Sequence, residues 1–232
     1  MKKILTVLMA VCLILSIVSC GQVDPNLKSD GVATHEEFIA AATETDIVIE
    51  GFVQAKQGWW ADEAVVYLQD GTGGYYIYKL PCTEAEFDEL TVGTKIQVTG
   101  QKVIYNGMHE IMNVTDWQVI GTDTYTATAV DVTANLADDA ALVKYLGALV
   151  KMTDMTVVGV DYKNGEPGDD IYLTLSKGGE EYSLTVEVYL TGTDSDVYAA
   201  VGELVEGDVI DVEGYLQWWN ALDCHVTKVT KK

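Results

Sequence analysis

Apolar and polar positions alternate with period two through most of the chain. Gly-, Asn- and Asp-bearing turns break the alternation at intervals, as they do between half-buried strands. The clearest stretch is residues 92–111, VGTKIQVTGQKVIYNGMHEI. It reads as a strand that bends at Gly100, a tight turn at Asn106-Gly107 and a returning strand. Asn-Gly suits this turn because both residues tolerate the positive φ of a type I′ hairpin. The layout recurs at residues 206–225, EGDVIDVEGYLQWWNALDCH. A shift of 114 residues aligns 85–106 with 199–220 without a gap, and eight of the 22 positions are identical, Gly100/Gly214 and Asn106/Asn220 among them. A match at one fixed offset is the mark of a duplicated unit.

The same reading places strands at 47–57, 64–70 and 75–79, a short helix at 82–90, and strands at 95–105 and 108–119. The second unit repeats this order with strands at 148–162, 171–176 and 182–189, a short helix near 194–204, and strands at 209–217 and 222–229. A short helix precedes each set. Thr34-His35-Glu36-Glu37 fits a capping box, with Thr34 as N-cap and Glu37 reaching back. Asp138-Asp139 opens the second helix, which runs through Leu146 to a stop at Gly147. Gly51 and Gly159 fall inside first strands, where glycine permits a sharp bend.

Three strands, a helix and a hairpin make the order of the OB-fold, a five-stranded Greek-key barrel. The expected class is all-β with short helices: two tandem five-stranded OB-fold barrels, each preceded by a short helix. The VxG of each fourth strand and YLQDGTGG of the second hairpin carry a resemblance to OB modules of bacterial exported proteins. Some of those modules accompany secreted nucleases or sit in surface lipoproteins. These motifs are structural signatures, so the resemblance implies a fold and no activity. The expected boundaries are 34–121 for the first barrel, 122–134 for a Thr- and Ala-rich linker, and 135–232 for the second.

The N-terminus adds a location. Lys2 and Lys3 precede an apolar run, residues 4–18, that is short for a membrane span and suits a signal peptide over 1–19. Ile17-Val18-Ser19-Cys20 resembles the bacterial lipobox, with Ile17 where leucine is commoner. That resemblance implies lipidation of Cys20, a tether over 20–33, and a protein exported and lipid-anchored on the extracytoplasmic side of a bacterial membrane. Several acyl chains on one cysteine hold a membrane stably, whereas one does not.

Charge narrows the partners. All 14 cationic residues are lysines; beyond residue 19, 12 lysines against 36 acids leave a formal charge of −24. Nucleic-acid binding rests on cationic side chains that displace counterions, so nucleic acid is an unfavoured partner and anionic lipid is repelled. Cys82 and Cys224 lie at unmatched positions of the two units and are expected as separate thiols rather than a disulfide.

Catalytic signatures are missing. His35, His109 and His225 belong to no triad order, nucleophile elbow or HExxH motif, so no enzyme activity and no cofactor is expected. The acidic loop 161–170 resembles a Ca²⁺ loop in composition, but Lys163 stands where an oxygen ligand belongs, and it reads as a turn.

Aromatic residues remain. OB-fold ligands lie across strands two and three, between the one–two and four–five loops. Those elements hold Trp59, Trp60, Tyr76, Tyr105 and Asn106 in the first unit and Trp218, Trp219 and Asn220 in the second. Flat amphipathic rings stack on sugars or bases, and amides orient them. The alternative is that these rings cover barrel ends or pack where the barrels meet. The function expected is non-catalytic binding of a neutral glycan or a protein partner. Single-stranded nucleic-acid binding, and a structural accessory role in an exported complex, are the alternatives.

Overall fold

A computed structural model describes residues 23–232. The expected signal peptide and Cys20 lie outside the described residues. The chain runs α1 (His35–Ala40), β1 (Thr45–Lys56), β2 (Glu63–Gln69), β3 (Gly74–Pro81), α2 (Glu84–Glu89), β4 (Thr94–Tyr105) and β5 (Met108–Thr124). It continues through β6 (Val130–Asp131), α3 (Asp139–Leu142), β7 (Leu149–Tyr162), β8 (Ile171–Lys177), β9 (Glu180–Val186), α4 (Val188–Thr191), α5 (Asp196–Gly202), β10 (Val209–Trp218) and β11 (Leu222–Lys231).

The first barrel closes in the order β1-β2-β3-β5-β4. The second closes as β7-β8-β9-β11-β10, with β10 pairing back to β7 and β6 added at the edge of β7. In both, the third and fifth strands meet in parallel, Tyr76 beside Glu110 and Thr185 beside His225. Each barrel is an OB-fold.

Local chemistry explains the elements. Thr34 Oγ1 accepts the Glu37 N–H at 3.2 Å and Glu37 Oε2 accepts the Thr34 N–H at 2.8 Å, the reciprocal cap expected. Asn106 and Gly107 both take positive φ, 49° and 91°, and Tyr105 pairs with Met108 across a two-residue turn. Gly100 and Gly214 each sit at a bulge of their fourth strand. A Cβ on Gly214 would lie 2.4 Å from the His225 carbonyl oxygen, so the neighbouring strand passes too close for any side chain.

β1 pairs with β4 through Phe52 and with β2 from Phe52 onward, so Gly51 sits where the strand changes partner. Gly159 differs. β7 changes partner at Thr156, and Gly159 lies beyond it at a bulge against β8. The helix expected over 138–146 is shorter, α3 followed by a 3₁₀ turn at Val143–Tyr145.

The expected linker and tether are held down. Gln54 donates to the Tyr125 carbonyl at 3.2 Å and accepts the Ala127 N–H at 2.8 Å, and β6 then pairs in parallel with β7. Lys28 reaches into the first barrel to Asp70 Oδ2 at 2.7 Å, and its side chain is 10% exposed. Ser29 N–H donates to Glu50 Oε2 at 3.2 Å, while Lys95 donates to the Leu27 carbonyl at 2.6 Å. Residues 24–33 are therefore part of the first barrel's surface and not a free tether. Composition alone marked them as polar and could not show that Lys28 has a buried carboxylate to neutralise.

Candidate functional site: a groove at the seam of two barrels

The barrels meet through outward-facing residues of the first one's second and third strands. Val66 and Leu68 point into the first core, so alternation turns Tyr67 outward, and Tyr67, Tyr76 and Met108 join the apolar core of the second barrel. Tyr67 is fully buried there, 4.5 Å between ring centroids from Tyr215 and 5.2 Å from Tyr76. Its hydroxyl accepts from Gln57 Nε2 at 2.9 Å and lies 2.6 Å from His225 Nδ1. Burial holds the Tyr67 phenol well above its ordinary value and drops His225 to about 4, so a neutral phenol and a neutral imidazole share this hydrogen bond. Backbone contacts extend the seam: the Leu149 N–H donates to Gln69 Oε1 at 2.8 Å, and the Gly58 N–H to the Tyr189 carbonyl at 2.8 Å.

The two equivalent hairpins also touch. Gly107 bridges to Trp219, and the Asn220 N–H donates to the Asn106 carbonyl at 2.7 Å. Trp218 lies over Gly107, where a Cβ would come within 2.3 Å of the indole, and Tyr105 meets Trp219 edge-on at 5.5 Å. The duplication thus brings its two Asn turns together.

This arrangement treats the two OB faces differently. The first barrel's β2–β3 face is covered by Tyr215 and His225. The second barrel's β8–β9 face, bearing Tyr172, Ser183 and Thr185, stays open. It forms the floor of a groove of about 820 Å³, a size that suits an organic ligand. β3 and β5 of the first barrel supply one wall with Tyr76, Tyr78, Met108, Glu110 and Met112. The β10–β11 hairpin supplies the other with Gln217, Trp218, Trp219 and Asp223.

Of the residues singled out in the sequence, Tyr76, Tyr105, Trp218 and Trp219 line this groove. Asn106 and Asn220 do not; their main chains hold the hairpins together. The expectation that Trp59 and Trp60 border the same face is corrected. Trp59 packs on the first core and donates its indole N–H to the Cys82 carbonyl at 2.8 Å. Trp60 is 78% exposed and away from the groove. Adjacent tryptophans in an expected loop gave no means of separating a core ring from a solvent ring. Cys82 and Cys224 are both buried, free thiols.

The polar lining is acidic. Glu110, Asp170, Glu187 and Asp223 face the groove, and no lysine lines it among the described residues. Asp223 accepts from Thr185 Oγ1 at 3.1 Å, and Asp170 accepts from Lys163 at 2.9 Å and from the Val188 N–H at 3.0 Å. Burial alone pushes Glu110 up to about 7. Burial also lifts Asp223 to about 6 against the hydrogen bonds it accepts, and raises Glu187. The sequence reading missed Glu110, Gln217 and Asp223. Each is one of several polar residues in an alternating strand, so nothing local sets it apart.

These shifts set opposing slopes. Carboxyls raised in the folded state, Glu110 and Asp223, contribute stability at low pH that is lost as pH rises through about 6 and 7. Histidines depressed by burial, His109 and His225, both to about 4, contribute stability that is full above 6.5 and lost as pH falls toward 4. Glu110→Gln is expected to remove one carboxyl slope, so that chemical denaturation shows stability rising more steeply between pH 4 and 7 than in the wild type. The gain above pH 7 should be on the order of 2 kcal/mol. An unchanged pH profile would contradict the burial of Glu110.

No protein-family model matches the chain. No curated protein matches it. Among solved structures it is similar to the hypothetical protein YgiW from E. coli, 15% identical over 38% of this chain and 89% of that one, with a TM-score of 0.29. It is also similar to a murine DNA-binding protein bound to double-stranded DNA, 11% identical over 80% and 96% of the two chains, TM-score 0.39. A replication protein A heterotrimer bound to single-stranded DNA is 12% identical over 82% and 49%, TM-score 0.34. Likenesses at this level transfer no ligand.

Proposed function

We propose that the protein is a non-catalytic binding protein that holds a glycan without anionic groups in the seam groove. The observation that supports this reading is the pairing of exposed rings with a polar floor. Trp219, Tyr105 and Tyr172 are 61%, 52% and 38% exposed along the groove, beside the hydroxyls of Ser183 and Thr185 and the amide of Gln217. Rings stack on the apolar face of a pyranose while side-chain donors and acceptors meet its hydroxyls. A phosphate polymer would instead meet the acidic side chains Glu110, Asp170, Glu187 and Asp223, with no lysine lining the groove among the described residues to displace its counterions. Titration of the mature chain against a panel of oligosaccharides is expected to find a binder whose affinity falls at least about tenfold in Trp219→Ala, the loss of one stacked ring. No response across the panel would overturn the reading.

The same proposal places the protein outside the cell, anchored through Cys20. Its support is the lipobox-like segment alone. Metabolic labelling with a tagged fatty acid is expected to mark the wild type and not Cys20→Ala; equal labelling would refute the anchor.

A further inference from the structure

Two groups in the groove lack hydrogen-bond partners among the described residues, one from each barrel. Glu110 on β5 is 5% exposed, and burial is the sole cause of its raised value, with no donor or cation to offset it. Gln217 on β10 is 6% exposed, and its buried Nε2 has no hydrogen-bond acceptor among the described residues. Both line the same groove. A buried donor without an acceptor is costly, and a buried carboxylate without a counter-charge is costlier. Each such group calls for an explanation, and one ligand that completes both supplies it.

The two are complementary to different atoms. Gln217 Nε2 offers a proton and calls for an oxygen acceptor. Glu110, once ionised, calls for a cation. A metal ion is a poor fit, because among the described residues no three His, Cys, Asp or Glu side chains converge to hold one. An organic ammonium needs fewer oxygens, and it also gains from the aromatic faces of Tyr105, Tyr172 and Trp219.

We propose that the seam groove selects glycans bearing free, protonated amino groups, the ammonium resting on Glu110 of the first barrel and a sugar oxygen on Gln217 of the second. This rests on the glycan reading above and specifies its ligand class. Glu187 and Asp223 around the groove deepen the negative potential that draws the cation in, while Asp170 is already paired with Lys163.

The test uses the mature chain, calorimetric titration and near-physiological ionic strength, at a pH of about 7, where a substantial share of Glu110 is ionised. The probes are a β-1,4-linked glucosamine tetramer and its fully N-acetylated counterpart. The free-amine tetramer is expected to bind about tenfold tighter, the scale of one hydrogen bond to a charged group. Glu110→Gln, close in shape to the wild type, should erase that preference and bring the two tetramers to equal affinity. Gln217→Leu should weaken both forms alike.

Equal binding of the two tetramers by the wild type would overturn the amine selection and leave the glycan reading standing. A free-amine preference that survives Glu110→Gln and disappears with added salt would trace to the chain's overall charge and overturn the assignment to Glu110. Binding of neither tetramer, with the wider panel silent as well, would remove both readings.

Discussion

Tyr67→Ala is expected to destabilise the whole chain by about 3–5 kcal/mol, the range for removing a large buried ring. The ring is fully buried between the barrels, and it stacks near Tyr76 and Tyr215. Its loss also leaves Gln57 Nε2 and His225 Nδ1 facing a hole. Tyr67→Phe separates the contributions: it keeps the ring and should cost about 1–2 kcal/mol through the unpaired polar atoms. Urea denaturation followed by circular dichroism reads both. A loss under about 1 kcal/mol for Tyr67→Ala would mean that the seam collapses around the gap or carries little of the stability.

The second large effect belongs to Gly74. A Cβ there would sit 2.2 Å from the Gly147 carbonyl carbon and 2.2 Å from the Ala148 nitrogen. Both are backbone atoms at the start of the second barrel, so no side chain can turn aside. The strain has to be relieved by moving one barrel against the other. Gly74→Ala should therefore cost about 3 kcal/mol by the usual scale of overpacking, and it should open the groove as well. Small-angle scattering is expected to show a larger radius of gyration, and oligosaccharide binding should weaken in parallel. Gly159→Ala is the control. A Cβ there meets only Asp161 Oδ2 at 3.8 Å, so its effect should stay within about 0.5 kcal/mol. Equal behaviour of the two variants would contradict the close approach at Gly74.

The fold was legible in the sequence because its signals are local. Alternation located the strands, the capping box located α1, and the Asn106/Asn220 match at 114 residues exposed the duplication. Most boundaries agree to within a residue or two, but β5 runs five residues past its expected end, β9 stops three short where α4 begins, and the expected linker contains β6. That strand is two residues long and pairs with β7, a partner no local pattern announces. Lys28 shows the same limit, since its partner Asp70 lies 42 residues away.

The site was only half legible. Tyr105, Trp218 and Trp219 followed from the general placement of OB-fold ligands, together with Tyr76. Which barrel keeps its face open did not follow, because it depends on how two similar units dock. Tyr67 and Tyr172 are both tyrosines of a second strand, yet one is sealed in the seam and the other forms the groove floor. Trp59 failed for a related reason: its indole satisfies a main-chain carbonyl of its own barrel, a contact that loop position alone cannot forecast.

The central claim is that one ligand touches both barrels at once. Hydrogen–deuterium exchange with and without the tightest-binding oligosaccharide of the panel tests it directly. Added protection is expected together in β3 and the β4–β5 hairpin of the first barrel and in β9 and the β10–β11 hairpin of the second. Protection confined to one barrel, or centred on Trp59 and Trp60, would contradict it.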